Sequence, residues 1–241
     1  RPQIGTLPIV QIEPGIETHR FLTEPPPLRS PYQALYCATP TRGLVHLVNW
    51  AEDLMAIDAR LRIVVSSGWE IYGHEKTSSR LDDPFWGSGM TQNVTERLAP
   101  YRERLFCDVR ARPYPELITA LRQSHVLLQP STFRETWCAT VRYAQAAGTP
   151  VLATGMTAVL EAAPTQMLLS SDVVGWDGYK SAFLAMLDRT LHDLVWWQEF
   201  HQRGLRAMHQ HRSTWEAKVQ QWVTLIRHVQ SVKRHEREIP S

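Results

Sequence analysis

The residue types able to do chemistry concentrate in one stretch, residues 127–154, which reads LLQPSTFRETWCATVRYAQAAGTPVLAT. An apolar run ends at Gln129-Pro130, a polar turn follows, and helical spacing begins near Thr136. If that run is a strand of a parallel sheet, ligands bind beyond its carboxyl end. A helix starting there offers unpaired N–H groups and the positive end of its dipole, which suits a phosphate. Glu135 stands at this point. Its carboxylate can accept from a sugar hydroxyl or merely complement the dipole, and position alone leaves both readings open. Gly148-Thr149-Pro150 supplies the helix stop and the next strand start. A second candidate is Arg42, followed by Gly43. A planar guanidinium grips two diphosphate oxygens at once and offsets charge as a diphosphate departs. The alternative is a solvated loop arginine.

These residues need a scaffold, and the rest of the chain supplies one. Short apolar runs at residues 34–38, 61–65, 105–108, 125–129, 150–154 and 166–169 predict strands. Helical spacing covers 43–57, 115–123 and 136–147. The strands are continuously apolar rather than alternating, so the sheet is parallel and buried on both faces, an α/β architecture with right-handed crossovers. Residues 1–33, with Pro25-Pro26-Pro27, read as a linker, 34–190 as the domain, and 191–241 as C-terminal helices. Residues 70–95 break the rhythm and read as a long loop. From Asp177 the chain turns helical. Trp215, Val219, Trp222, Ile226 and Val229 share one face, with Ser213 or Thr214 as cap.

Composition sets the limits. The 241 residues are 43% hydrophobic and 21% charged, which excludes wholesale disorder. Lys+Arg 26 against Asp+Glu 24 gives +2, no field for nucleic acid. Three widely spaced cysteines, Cys37, Cys107 and Cys138, form no metal-ligand spacing, and an odd count fits a reducing compartment. No run of about 18 apolar residues spans a membrane. The chain opens on Arg1-Pro2 without a signal-like start and reads as a piece of something longer.

Several motifs stand in a definite order. Pro130-Ser131, Glu135, Ala144-Gln145-Ala146-Ala147-Gly148 and Pro150-Val151 follow Ile12-Glu13-Pro14-Gly15-Ile16 with Phe21, then Ala38-Thr39-Pro40-Thr41-Arg42-Gly43-Leu44. The stretch from Phe106 to Leu117 lies between, and Ser213-Thr214-Trp215-Glu216 comes last. In this order they resemble retaining glycosyltransferases of the GT-B fold, the group 1 or family 4 class, over residues 10–230. The resemblance implies the second, Rossmann-like half of a GT-B enzyme, which binds a UDP- or GDP-linked sugar as donor without metal or further cofactor. It implies Arg42 on the diphosphate and Glu135 on the sugar, with Gly43 beside them. It implies the base against Val109 and Arg110, backbone amides at Trp137, Cys138 and Ala139, and ribose at Tyr143. A cytoplasmic place and an acceptor-binding N-terminal domain absent from this chain are implied too, the acceptor being unidentified. The C-terminal tryptophans then pack on that domain; a membrane-surface contact is the alternative.

Two departures stand out. Tyr143 occupies the place of the family's second glutamate, and a phenol accepts more weakly than a carboxylate. Arg42 is the one evident basic residue of its loop, with Lys76, Arg80 or Arg110 as substitutes. A degenerate scaffold or partner-binding module is therefore a competing reading. A related epimerase or phosphorylase is another, without a cofactor-lysine pattern. Smaller features have plain readings. Cys138 with His125 upstream is a packed thiol before it is a nucleophile. Asp82-Asp83 is a turn, Ser66-Ser67-Gly68 a loop that could touch a ligand. His201, His209 and His211 are solvated, the Asn93-Val94-Thr95 sequon lacks a secretory signal, and residues 233–237 are a frayed basic end.

Overall fold

The structure, a computed structural model, describes residues 10, 12–22, 28–67, 96–161, 167–169, 171–210 and 214–238. Its strands are β1 (Ser30–Tyr36), β2 (Arg62–Ser66), β3 (Phe106–Arg110), β4 (Ser124–Gln129), β5 (Val151–Thr154) and β6 (Met167–Leu169). Helices α1 (Leu44–Asn49) and α2 (Ala51–Ile57) follow β1, and α3 (Tyr114–Gln123) precedes β4. Next come α4 (Ala139–Ala146), α5 (Ala158–Glu161), α6 (Ser171–His192), α7 (Leu194–Gln210) and α8 (Trp215–Glu238).

The six strands are parallel in the order β3-β2-β1-β4-β5-β6. Sequence order reverses between β1 and β4, which marks the switch point of a doubly wound, Rossmann-like sheet. Every residue of β4 and β5 is buried, as a central parallel strand requires. Alternate side chains feed two cores. Tyr36, Ile63, Val65, Phe106, Val126, Leu128 and Leu152 pack on one face with residues of α1, α2, α6 and α7. Leu35, Val64, Leu127, Val151 and Ala153 pack on the other with α3, α4, Ile16 and Phe21. Among the described residues no helix is long and apolar enough to cross a membrane.

Several boundaries differ from those the sequence pattern predicts. β1 begins at Ser30, not residue 34; Pro31 offers no N–H, and the pairing with β4 shifts register between Ser30 and Ala34. The helix expected over 43–57 breaks into a 3-10 turn (Pro40–Arg42), α1 and α2. Trp50 forms the joint, and its buried ring packs on Tyr179 and Phe183 at centroid distances of 6.1 and 5.4 Å. The helix expected from Thr136 starts at Ala139, because Cys138 is left-handed with φ 53°. Its end is a Schellman motif: Thr149 N donates to Ala144 O, Gly148 N to Gln145 O, and Gly148 has φ 65°. α6 begins at Ser171, ahead of Asp177. The loop expected over 70–95 lies outside the described residues.

The stretch read as a linker is tied to the domain where it is described. Ile16 and Phe21 are buried, and Ile16 bridges to Thr214 at the start of α8. A Cβ on Gly15 would lie 2.5 Å from Trp215 Cα, so only glycine lets the two segments touch. Glu13 binds Arg142 of α4 at 3.3 Å and Lys218 of α8 at 3.9 Å, and both cations are buried. Thr214 Oγ1 accepts from Ala217 N and caps α8.

At the sheet's amino edge, His125 Nε2 donates to Thr190 O at 2.9 Å, and the ring stacks on Trp197, 4.9 Å between centroids. Burial lowers its pKa from 6.5 to about 4. The unfolded chain therefore takes a proton there before the folded one does. The stabilisation by neutral His125 is complete above pH 6.5 and is lost as pH falls toward 4. Between those limits the wild type should lose up to about 1.4 kcal/mol per pH unit relative to His125→Asn. Urea denaturation of both proteins from pH 7 to pH 4 checks this; parallel slopes would show that His125 is not the titrating group.

Candidate functional site

Two loops meet at the carboxyl edge over the switch point. One leaves β1 and ends in the Pro40–Arg42 turn; the other leaves β4 and runs through 130–138 into α4. Gly43 is their point of contact. It has φ 114°, and a Cβ there would sit 2.7 Å from Pro130 O. Any side chain would push the loops apart as well as strain the backbone. Below them the Tyr36 hydroxyl, fully buried, donates to Thr39 O at 2.5 Å and anchors the first loop.

This crossing brings Arg42 and Glu135 together. Arg42 Nη1 donates to Glu135 Oε1, and both side chains are 18% exposed. The Arg42 guanidinium lies over the Phe133 ring, 3.4 Å from its centroid. Arg42 is thus neither solvated nor free. Glu135 sits four residues before the first residue of α4, so it does not complement that helix's dipole; its charge goes to Arg42.

Among the described residues, four buried side-chain polar atoms have no partner: Arg42 Nε, Ser67 Oγ, Gln129 Oε1 and Trp137 Nε1. They stand in the loops and strand ends that follow β1, β2 and β4, all at the carboxyl edge. Buried polar groups are normally satisfied, so four at one edge mark a place where ligand or water completes the bonding. The first-turn amides of α4, from Ala139 on, add donors that no helical carbonyl can satisfy. Cys138, ahead of them, is buried, and burial raises its thiol to about 11, which suits packing and not a thiolate nucleophile. Burial likewise raises Cys37 to about 12, against hydrogen bonds from Ser66 and Thr140 that lower it.

The remaining sequence candidates spread along the same edge. Val109 is partly buried against the first core. Arg110 is exposed and binds Asp108 at 2.9 Å and Glu116 at 2.6 Å. Trp137 packs beside Arg142, whose guanidinium is 5.6 Å from its ring. Tyr143 projects from α4 between Phe21 (5.8 Å, stacked) and Tyr114 (5.5 Å, tilted). The structure therefore joins Arg42, Gly43 and Glu135 in one place, and sets Val109 and Arg110 on β3 and Tyr143 on α4 against Phe21 and Tyr114. His201 is not solvated: its ring stacks on Trp197 and its Nδ1 bonds to Gly148 O. Lys76, Arg80, Asp82-Asp83, Asn93, His211 and Ser213 lie outside the described residues. Nothing is described of the side chains of His209 and of residues 233–238, whose backbone continues α8 where the sequence reading expects a frayed end.

Sequence reading missed Arg112, Phe133 and Tyr114. The Arg112 side chain is 2% exposed. It donates to Val65 O at 2.9 Å, and to Asp108 through both O (2.8 Å) and Oδ2 (2.5 Å). It thereby ties the ends of β2 and β3, and Asp108 takes φ 48° in doing so. Only the sheet, by presenting those carbonyls, separates it from its neighbour Arg110. Phe133 carries a weak signal, an aromatic two residues before Glu135 in a polar turn.

No family model and no curated protein sequence matches the chain. Solved structures do. Sucrose-phosphate synthase from Thermosynechococcus elongatus superposes with TM-score 0.68 at 19% identity over 92% of this chain and 52% of its own. HepE from Anabaena, in complex with UDP and glucose, gives 0.65 at 12% over 90% and 56%. The C-terminal domain of a group 1 glycosyl transferase from Francisella tularensis gives 0.57 at 15% over 80% and 95%. This chain thus spans about half the length of the first two and nearly all of the third. The fold is α/β and Rossmann-like, and it is shared with these GT-B glycosyltransferases.

Arg112→Met keeps the aliphatic stem but strands the Val65 and Asp108 carbonyls. The expected cost is about 2–3 kcal/mol of unfolding free energy by urea titration. A change within about 0.5 kcal/mol, the range of neutral surface substitutions, would show that the clasp between β2 and β3 is dispensable.

Proposed function

We propose that this chain is the donor-binding half of a retaining glycosyltransferase and takes a nucleotide-diphosphate sugar at the switch point. The observation that supports it most is the meeting of Arg42 and Glu135 beside unpartnered buried donors, where a doubly wound fold binds ligands. The diphosphate lies between Arg42 and the first amides of α4, with the nucleoside toward Val109, Arg110 and Tyr143. UDP or GDP is the carrier, and the acceptor is left open. Transfer breaks the bond from the anomeric carbon to the diphosphate oxygen and forms one to an acceptor hydroxyl oxygen on the same face, whose proton passes to the departing diphosphate. The oxygen that departs gains negative charge, and a positive charge spreads over the sugar ring. Arg42, the amides and the α4 dipole stabilise the departing diphosphate. Glu135 orients the sugar, and no metal is assigned a role.

The acceptor side needs a second domain, and α8 offers a surface for it. Trp215, Val219, Trp222, Ile226 and Val229 form a stripe on α8, each 44–51% exposed. A stripe of that size calls for a partner. The three cysteines are free, in keeping with a reducing, cytoplasmic place.

The second reading, a non-catalytic module, draws on Tyr143 packed between two rings and on Arg42 already paired. Binding separates the two. On the donor reading, calorimetry detects UDP or GDP, and Arg42→Ala weakens the diphosphate by about 1.5–3 kcal/mol while uridine or guanosine binding is unchanged. No nucleotide binding, or equal losses for diphosphate and nucleoside, favours the module. On this reading the isolated chain should transfer no sugar, because the acceptor is positioned by the other half of the enzyme. Robust acceptor glycosylation by this chain alone would overturn the two-domain reading.

A further inference from the structure

The site contains its own competitor. Arg42 Nη1 is committed to Glu135 Oε1, its π face to Phe133, and its Nε is buried without a partner. A carboxylate presents two oxygens to a guanidinium much as a phosphate does. The pair is mostly shielded from water, with each side chain 18% exposed, so solvent screening does not erase the attraction. It also bridges loops 93 residues apart in sequence, which Gly43 holds in contact.

We propose that Glu135 stands in for phosphate on Arg42, so that the crevice rests in a self-paired, closed state that a diphosphate must displace. Two further observations make the exchange cheap. The incoming anion meets the unpartnered Nε and the α4 amides, which the carboxylate does not satisfy. Phe133 keeps the guanidinium plane in place through the exchange, because the ring contact does not involve the Nη atoms' hydrogen bonds. The carboxylate released in this way has both oxygens available to accept from a hydroxyl once the diphosphate has arrived. Binding thus costs the opening of the pair, and observed affinity is lowered by the fraction of chains held closed. This inference rests on the donor reading for its biological ligand, but the competition itself concerns any diphosphate.

Calorimetry on the intact chain with UDP, GDP, inorganic pyrophosphate and uridine tests both separately. Glu135→Gln keeps shape and removes charge. It should tighten UDP or GDP and pyrophosphate by about three- to tenfold and leave uridine unchanged. Glu135→Ala should tighten them too, which guards against a peculiarity of the amide. In an Arg42→Ala background, Glu135→Gln should give no tightening. Thermal midpoints confirm that each variant is folded. If the wild type binds pyrophosphate and neither Glu135 variant binds it more tightly, the competitor is overturned while the donor reading stands. If pyrophosphate tightens as expected but UDP and GDP do not bind, the competitor stands and the donor reading falls. If no diphosphate binds any variant, both fall.

Discussion

The approach of Gly43 to Pro130 is the contact on which the site depends. Reversal of strand order between β1 and β4 sends their loops apart and opens a crevice, as in any doubly wound sheet. What is particular here is that the two loops cross again at its mouth. A left-handed glycine, where a Cβ would lie only 2.7 Å from the Pro130 carbonyl oxygen, allows it. Arg42 and Glu135 face each other because of that crossing, and the free end of α4 lies just beyond. Tyr36 below and the Schellman turn behind α4 fix the two sides from opposite ends.

Among the described residues, Arg42 and several charges around it are already paired. Glu135 pairs with Arg42, Asp108 with Arg110 and Arg112, Glu116 with Arg110, and Glu13 with Arg142 and Lys218. A buried unpaired charge is costly, so pairing keeps the edge stable. On the donor reading, an anion would draw on amides and on an exchange of partners at Arg42. The nearly neutral chain, at +2, agrees with that.

Much of the scaffold was legible because parallel strands are short, continuous apolar runs and amphipathic helices repeat near 3.6 residues. β2, β4 and β5 fall within one residue of the pattern. What escaped depends on handedness and distance. Nothing in the residue type of Cys138 announces φ 53°, so the spacing predicts the helix three residues early, with Glu135 close enough to complement its dipole. Pro31 hid the start of β1, since a proline inside a central strand argues against one. Arg42 and Glu135 were each readable as types in suggestive turns, but their pairing is a product of topology. Arg112 was hard to tell from Arg110 because two of its partners are carbonyls, which every residue carries, and both arginines share the Asp108 carboxylate.

The crystal structure of this chain with UDP tests the central claim most directly. The diphosphate should lie within hydrogen-bond distance of Arg42 and of the Ala139 and Thr140 amides, with the Glu135 carboxylate turned away from the guanidinium. A diphosphate bound elsewhere, with the Arg42–Glu135 pair intact, would contradict it.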